Sequence, residues 1–396
     1  MLGVTVILPT YNRAGLIGET IDSLLNQTRQ PDEIIVINDG STDDTLKVLQ
    51  RYGGSLRVIN QLNSGKSVAL NLALAEASTP CIWIVDDDDI ILPNSCQILM
   101  AELEKDSSLD FCAGQHIDFM VDQFTGERST REPGYWRKSA PDEIFADLLD
   151  GCHIFQPGLI VRREVYYKVG PFRTDLVRSQ DYEMILRIAR HHRGVLLPEA
   201  VFLHREHSGE RGSTTDRFAA HENAARWKLY NRHVFTALLG SLEDSELLPA
   251  RLLTSLPKPQ QARITRIKRA CVLARQRMWL ESITIWDQLA EEGSDPFSPA
   301  ECEIIDRSAT SALGSPELFD DAAVQKALAQ LAARGPLGRF LVRRLVRNVR
   351  WNLRDAVLDR DRTRVWRVAR FLVLATIWTR LPSIIQDRPG VSCSKV

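Results

Sequence analysis

The stretch CIWIVDDDDIILP, Cys81–Pro93, decides the architecture. Cys81–Val85 is apolar without alternation, so it reads as a short strand covered on both faces. Four carboxylates, Asp86–Asp89, follow directly at its carboxyl end. Neighbouring like charges repel, and such a run persists where a cation or full solvation offsets the repulsion. A solvated acidic turn or a helix N-cap is the plain alternative. Placement at the end of a buried strand favours a hard divalent cation. Mg²⁺ and Mn²⁺ take carboxylate oxygens, keep several waters and bridge substrate phosphates.

The same grammar runs upstream. Val4–Leu8 is a β-branched run ended by Pro9, Ile34–Ile37 lies inside a second strand at Glu33–Asn38, and Leu56–Asn60 is a third. Between them Gly15–Asn26, Asp43–Tyr52 and Ser67–Ala77 carry apolar residues at helical spacing. Continuous apolar strands separated by helices predict a parallel sheet with helices on both faces. Ligands of such sheets bind beyond the carboxyl ends of the strands. The polar clusters Thr10–Arg13, Asp39–Thr42 and Asp86–Asp89 sit at those ends. Downstream, Gln123–Pro141 is polar and rich in breakers and reads as a long loop, while Tyr182–Arg190 reads as a helix. From about Asp216 helical periodicity takes over, punctuated by prolines such as Pro257, Pro299 and Pro336.

Bulk properties narrow the classes. A chain of 396 residues exceeds one average domain, so two or three units are expected. With 44% hydrophobic and 26% charged residues, it is neither disordered nor fibrous. A net charge of -1 gives the whole chain no reason to seek a polyanion, and no nucleic-acid-binding module is recognisable. The seven cysteines are scattered without metal or disulfide spacing and read as reduced thiols of a cytoplasmic protein. Met1–Leu8 runs straight into a strand, so no signal peptide is expected, and the lack of a window of about 18 apolar residues predicts no membrane span.

Two local patterns admit two readings each. Asp39-Gly40-Ser41-Thr42-Asp43 is a strand–turn–helix junction in which Asp39 can also accept a ligand's hydrogen bond. His207, in Leu203–Ser208, competes with His204 as a candidate metal ligand, and an isolated histidine is more often structural.

Taken in order, the motifs resemble glycosyltransferase family 2. Pro9-Thr10-Tyr11-Asn12-Arg13 is similar to its opening strand–loop, and Asn38–Asp43 to its nucleobase-binding turn. Asn63-Ser64-Gly65-Lys66 with Ala69-Leu70-Asn71 resembles the segment before its metal-binding strand. Val85–Pro93 resembles its DXD motif. Arg162-Arg163 through Gly170-Pro171-Phe172, Ser179-Gln180-Asp181-Tyr182-Glu183 and Leu203–Ser208 resemble its later motifs in the same order. The resemblance covers about residues 1–220. Two departures stand out: Gln180 where the family usually has Glu, and Asp87 where the residue between the DXD acids is usually neutral.

The resemblance implies a GT-A fold, a Rossmann-like, mostly parallel mixed sheet flanked by helices, with a helical C-terminal extension. It implies an inverting glycosyltransferase using a nucleotide diphosphate sugar, a UDP-sugar, with Mn²⁺ or Mg²⁺. By position, Pro9, Tyr11, Arg13, Asp39, Lys66, Asp86 and Asp87 would bind the donor, with Tyr11 against the base and Asp39 on its edge. Asp88 and His207 would hold the metal, and Asp181 would be the general base. The acceptor would be a saccharide or lipid-linked hydroxyl, in polysaccharide or glycoconjugate synthesis. A catalytically inactive scaffold is the alternative from another class, and Gln180 leaves room for it. A sugar-nucleotide pyrophosphorylase is disfavoured, because Pro9–Asn12 is not a Gly-rich phosphate loop.

The organisation expected is a catalytic domain at 1–220, a helical region at 221–333 and a basic amphipathic helical tail at 334–396. From Arg334 to Arg380 there are 13 arginines, no lysine and three acids. Leu341, Leu345, Val349 and Leu353 form an apolar stripe, and Trp351, Trp366 and Trp378 accompany it. This predicts an interfacial helix pair on an anionic membrane, peripheral on its cytoplasmic face. Packing of the stripe on the rest of the protein is the competing expectation.

Overall fold

The computed structural model describes residues 1–122, 124–133, 136–206, 211–212, 217–218, 223–293, 296–311 and 314–380. The chain forms two compact units: Met1–Leu148 with Cys152–Val234, and Leu149–Gly151 with Phe235–Val396.

In the first unit, β1 (Val4–Thr10), β2 (Glu33–Asp39), β3 (Arg57–Gln61) and β4 (Cys81–Ile84) alternate with α1 (Ile17–Leu25), α2 (Thr45–Gln50) and α3 (Lys66–Glu76). There follow β5 (Ile90–Ile91), α4 (Ser95–Lys105), β6 (Phe111–Val121), β7 (Arg128–Pro133), α5 (Ile144–Asp150), β8 (Leu159–Arg162), α6 (Arg163–Val169), α7 (Gln180–His191) and β9 (Gly194–Arg205). The sheet order is β3-β2-β1-β4-β8-β6-β9-β5, with β7 added to β6.

All seven residues of β1 and all four of β4 are buried, as runs without polar alternation require when helices cover both faces. The helix α1 buries Ile17, Ile21 and Leu24, at the spacing of one helical face. Its apolar face shares a core with Val6, Leu8, Val36, Trp83 and Leu99. Strands β3, β2, β1 and β4 run parallel. Beyond β4, β8 is antiparallel to both β4 and β6, and β9 is parallel to β6. Chain order reverses at β1, which has β2 on one side and β4 on the other. The carboxyl ends of β1 and β4 therefore open onto a crevice, where such sheets take their ligands.

The loop expected over 123–141 is in part a strand. Arg128–Pro133 pairs with β6 as a hairpin, with Met120 opposite Ser129 and Val121 opposite Arg128. Its turn is set by Asp122, whose Oδ1 accepts from the N–H groups of Phe124 and Thr125, both at 2.8 Å. This edge strand is held by backbone pairing, not burial: its first four residues are exposed. It therefore lacks the apolar alternation that marks half-buried strands.

The second unit is helical. One hydrophobic core runs from Ile267 through Trp279, Trp286 and Leu328 to Leu341, Leu345, Phe371 and Trp378. The segments expected to divide at residue 334 thus share a core. Leu341 and Leu345 are fully buried and Val349 is 1% exposed, so the stripe read as lipid-facing packs inside the protein. Several arginines of this stretch are paired: Arg334 with Asp287, Arg344 and Arg347 with Asp306, and Arg367 with Asp320. Among the described residues no helix is long and apolar enough to cross a membrane.

Candidate functional site

The crevice is a cleft of about 640 Å³ lined by Pro9, Tyr11, Arg13, Asp39, Lys66 and Asp86–Asp89, together with Gln180, His204 and Arg205. Its floor is stitched together by short polar links. The Asn12 side chain, on a residue with φ of 52°, accepts from the N–H of Thr42 at 2.8 Å. The Arg13 N–H donates to Thr45 Oγ1 at 2.8 Å, and the Ala14 N–H to Asp43 Oδ2 at 3.1 Å. The loop after β1 is thereby fixed to the turn after β2.

Asp39 is 4% exposed. Its Oδ1 accepts from Gln61 Nε2 at 2.6 Å and from the Ser64 N–H at 2.8 Å, and its Oδ2 accepts from the Gly65 N–H at 2.9 Å. Both oxygens thus serve to hold the loop before α3; Oδ1 uses both its lone pairs there, and Oδ2 keeps one for a further donor. Gly40 has φ of +72°, and a Cβ there would lie 2.6 Å from the Asn63 backbone nitrogen. The close approach of the turn to that loop requires glycine.

Lys66, the first residue of α3, is ion-paired with Asp86. Burial works against its charge, but Asp86, then Asp181 and Asp87, outweigh it and hold the ammonium above the usual lysine range. Asp87 lies 3.5 Å from Arg13 Nε. Burial, reinforced by the neighbouring Asp88 charge, pushes its carboxyl up to about 7 despite Arg13. Asp89 is 1% exposed, and its Oδ1 accepts from the Arg205 N–H at 2.9 Å. Burial and the Asp88 and Asp86 charges hold its pKa well above the carboxylate range. The acidic run is therefore divided: Asp86 meets Lys66, Asp87 meets Arg13, and Asp89 turns onto β9.

Arg205 gave no sign in the sequence. Its Nε donates to the Asp88 carbonyl at 2.7 Å, its guanidinium pairs with Glu19 and stacks 4.5 Å from the centre of the Phe119 ring. It clamps the acidic turn from across the sheet. His204 lines the cleft, with Nδ1 2.9 Å from Asp118 Oδ1. His207 lies outside the described residues. Asp181 is in the first turn of α7, and its Oδ1 accepts from the Tyr182 N–H at 2.8 Å. It is not one of the lining residues, but its neighbour Gln180 is, and its charge reaches Lys66.

Among the described residues, no three His, Cys, Asp or Glu side chains form a set able to hold a metal ion alone. The donors nevertheless fit a cation that keeps other ligands. Two carboxyls are driven towards protonation by burial and mutual repulsion, a cost that a divalent ion beside Asp88 and Asp86 would offset. Diphosphate oxygens and water would complete its shell.

The model of Glycosyl transferase family 2 matches residues 5–170, which include every cleft acid of the Asp86–Asp89 run and stop short of Asp181. The uncharacterized glycosyltransferase YwdF of Bacillus subtilis is 29% identical over 197 residues, covering 49% of this chain and 71% of that protein. The chondroitin synthase of Pasteurella multocida is 37% identical over 192 residues, covering 47% of this chain and 19% of that one. Staphylococcus aureus TarS 1–349, solved in complex with UDP-GlcNAc, has the same fold, with a TM-score of 0.51 at 16% identity over 95% of this chain and 91% of that chain. The domain that builds most of this cleft, residues 5–170, is thus one that glycosyl transferase family 2 describes.

Proposed function

We propose that the first unit transfers a sugar, with inversion, from a UDP-sugar to an acceptor hydroxyl of a saccharide or lipid-linked acceptor. The observation that carries this reading is the convergence of Asp39, Lys66, Asp86–Asp88 and the α7 N-terminus on one crevice at the reversal of strand order. Tyr11 packs on the base, and Asp39 adds a bond to its edge while holding the loop before α3. Asp88 and His207 would hold Mn²⁺ or Mg²⁺, and Asp86 would contact the ribose or sugar of the donor. The ion would supply stabilisation of the charge that builds on the leaving diphosphate. Lys66 exchanges its Asp86 contact for phosphate oxygens. Asp181, in the first turn of α7, removes the acceptor proton as the hydroxyl attacks the anomeric carbon from the opposite face. Synthesis of a polysaccharide or glycoconjugate is the setting in which such a transfer serves.

Mass spectrometry of products from a panel of nucleotide sugars and saccharide acceptors, with and without EDTA, tests the reading. A product heavier by one sugar residue, lost with EDTA, supports it. Absence of any product and of donor hydrolysis across the panel favours the inactive scaffold.

A peripheral membrane site fits residues other than the buried stripe. Among the described residues of the second unit, the exposed large hydrophobic side chains are Leu280, Trp351, Val357, Leu358, Trp366 and Val373. All but Leu280 lie on Val349–Leu358 and Arg362–Arg380. Arg350 and Arg354 stack on Trp351, and Arg370 on Trp366. Exposed tryptophans framed by arginines suit the interface of an anionic bilayer. Co-sedimentation with phosphatidylglycerol vesicles is expected to fall in W351S/W366S at unchanged melting temperature. Equal sedimentation of parent and variant removes this site.

A further inference from the structure

The segment leading into α7 carries a feature that the transfer reading leaves unused. Ser179 directly precedes Gln180 and Asp181 and has φ of 62° and ψ of 12°, in the left-handed region. A serine there crowds its Cβ against the backbone, and the conformation persists only where surrounding contacts hold it. A serine at a helix N-terminus ordinarily turns its hydroxyl onto the first free N–H groups. Ser179 makes no such capping bond. Its Oγ donates instead to Asn231 Oδ1 at 2.7 Å, and both residues are buried, at 3% and 1% exposure.

Two further contacts bind the same segment to the same helix, Asn223–Ser241. The Arg178 guanidinium lies 5.9 Å from the centre of the Trp227 ring, one helical turn from Asn231. Arg173 donates to His233 Nε2 at 2.7 Å. Between these anchors the segment gives Thr174, Leu176 and Val177 to the cleft wall.

We propose that Asn231 is a positioning residue for the transfer step, acting through Ser179. By accepting the Ser179 hydroxyl it holds the left-handed turn that sets the direction of α7 and with it the carboxylate of Asp181. The inference rests on Asp181 as the base. The link is direct in the backbone: the Ser179 carbonyl accepts from the Glu183 N–H at 2.9 Å, so the first turn of α7 is keyed to the Ser179 conformation. If Ser179 relaxes to negative φ, that carbonyl rotates away and the turn bearing Asp181 shifts. A displacement of about 1 Å at a reacting group costs about 10²-fold in rate.

The experiment compares the full chain with N231A, N231A/S179G and D181N. Turnover is followed with whichever nucleotide sugar of the panel the parent consumes, UDP affinity with Mn²⁺ by calorimetry, and amide hydrogen exchange at Glu183. N231A is expected to lower kcat about 10- to 100-fold, with donor KM and UDP affinity within about 3-fold of the parent. Its Glu183 amide should exchange faster. In N231A/S179G, glycine holds positive φ without a partner, so kcat and Glu183 protection should both recover most of the loss. Parent-like kcat and exchange in N231A, or a loss that S179G does not recover, overturns the proposal. The base assignment fails separately: D181N then keeps parent turnover. The exchange readout needs no substrate, so it decides the Ser179–Asn231 link even where no sugar is transferred.

Discussion

Replacing Asp87 with Asn should stabilise the first unit while impairing its chemistry. The Asp87 carboxyl is pushed from 3.8 to about 7 by burial and the Asp88 charge. In the unfolded chain it ionises near 3.8, so between about pH 4 and pH 7 the folded chain binds the proton that the unfolded chain has lost. Folded stability therefore falls as pH rises through that window. The rise from 3.8 to about 7 sets a ceiling of about 4 kcal/mol at pH 8. Asparagine keeps the volume and removes the charge, so D87N avoids that penalty at pH 8 and gains nothing at pH 4. For a unit of this size each kcal/mol moves the melting temperature by about 2–4 °C. Calorimetric melting in EDTA at pH 8 and pH 5 should show D87N several degrees above the parent at the higher pH, with less than half that gap at the lower. Mn²⁺ should narrow the gap at pH 8, because a cation relieves in the parent what the substitution relieves permanently. A variant that melts at or below the parent at pH 8 in EDTA would refute the electrostatic argument.

D88N should weaken UDP binding in the presence of Mn²⁺ to the level the parent shows in EDTA; equal parent affinity with and without EDTA would remove the metal bridge. K66A should weaken UDP binding about 10-fold or more, since it removes the ammonium paired with Asp86 in the cleft, and unchanged calorimetric affinity would place the lysine outside donor recognition. G40A should cost more than 1 kcal/mol, because φ of +72° and a contact of 2.6 Å both oppose a Cβ; an unaltered denaturation midpoint would contradict the close approach of the turn to Asn63.

The parallel half of the sheet was legible because Val6–Leu8 and Cys81–Ile84 are apolar without alternation, and only a doubly covered strand tolerates that. The acids were legible because they stand at a strand end. The edge strand Arg128–Pro133 was not, since backbone pairing alone leaves no periodic trace in side-chain polarity. Nor was the part played by Arg205, which reaches Asp88 and Glu19 across separations of 117 and 186 residues. No local pattern encodes such a contact. The C-terminal stripe was correctly helical, yet amphipathicity states only that a face is covered. Whether lipid or the neighbouring helices cover Leu341 and Leu345 was decided by packing, and the neighbours won.

The central claim is that this cleft transfers a sugar with Asp181 as the base, and the Asp181→Asn variant addresses it most directly. Asparagine matches the volume of Asp181 and its Oδ1 can still accept from the Tyr182 N–H, so fold and helix geometry are retained while the proton acceptor is removed. The measurement is turnover of the nucleotide sugar by parent and variant, with UDP affinity and melting temperature taken on the same samples. The account predicts a loss of about 10²–10⁴-fold in turnover at nearly unchanged UDP affinity and melting temperature. A folded variant that binds UDP and still transfers sugar at the parent rate would contradict it.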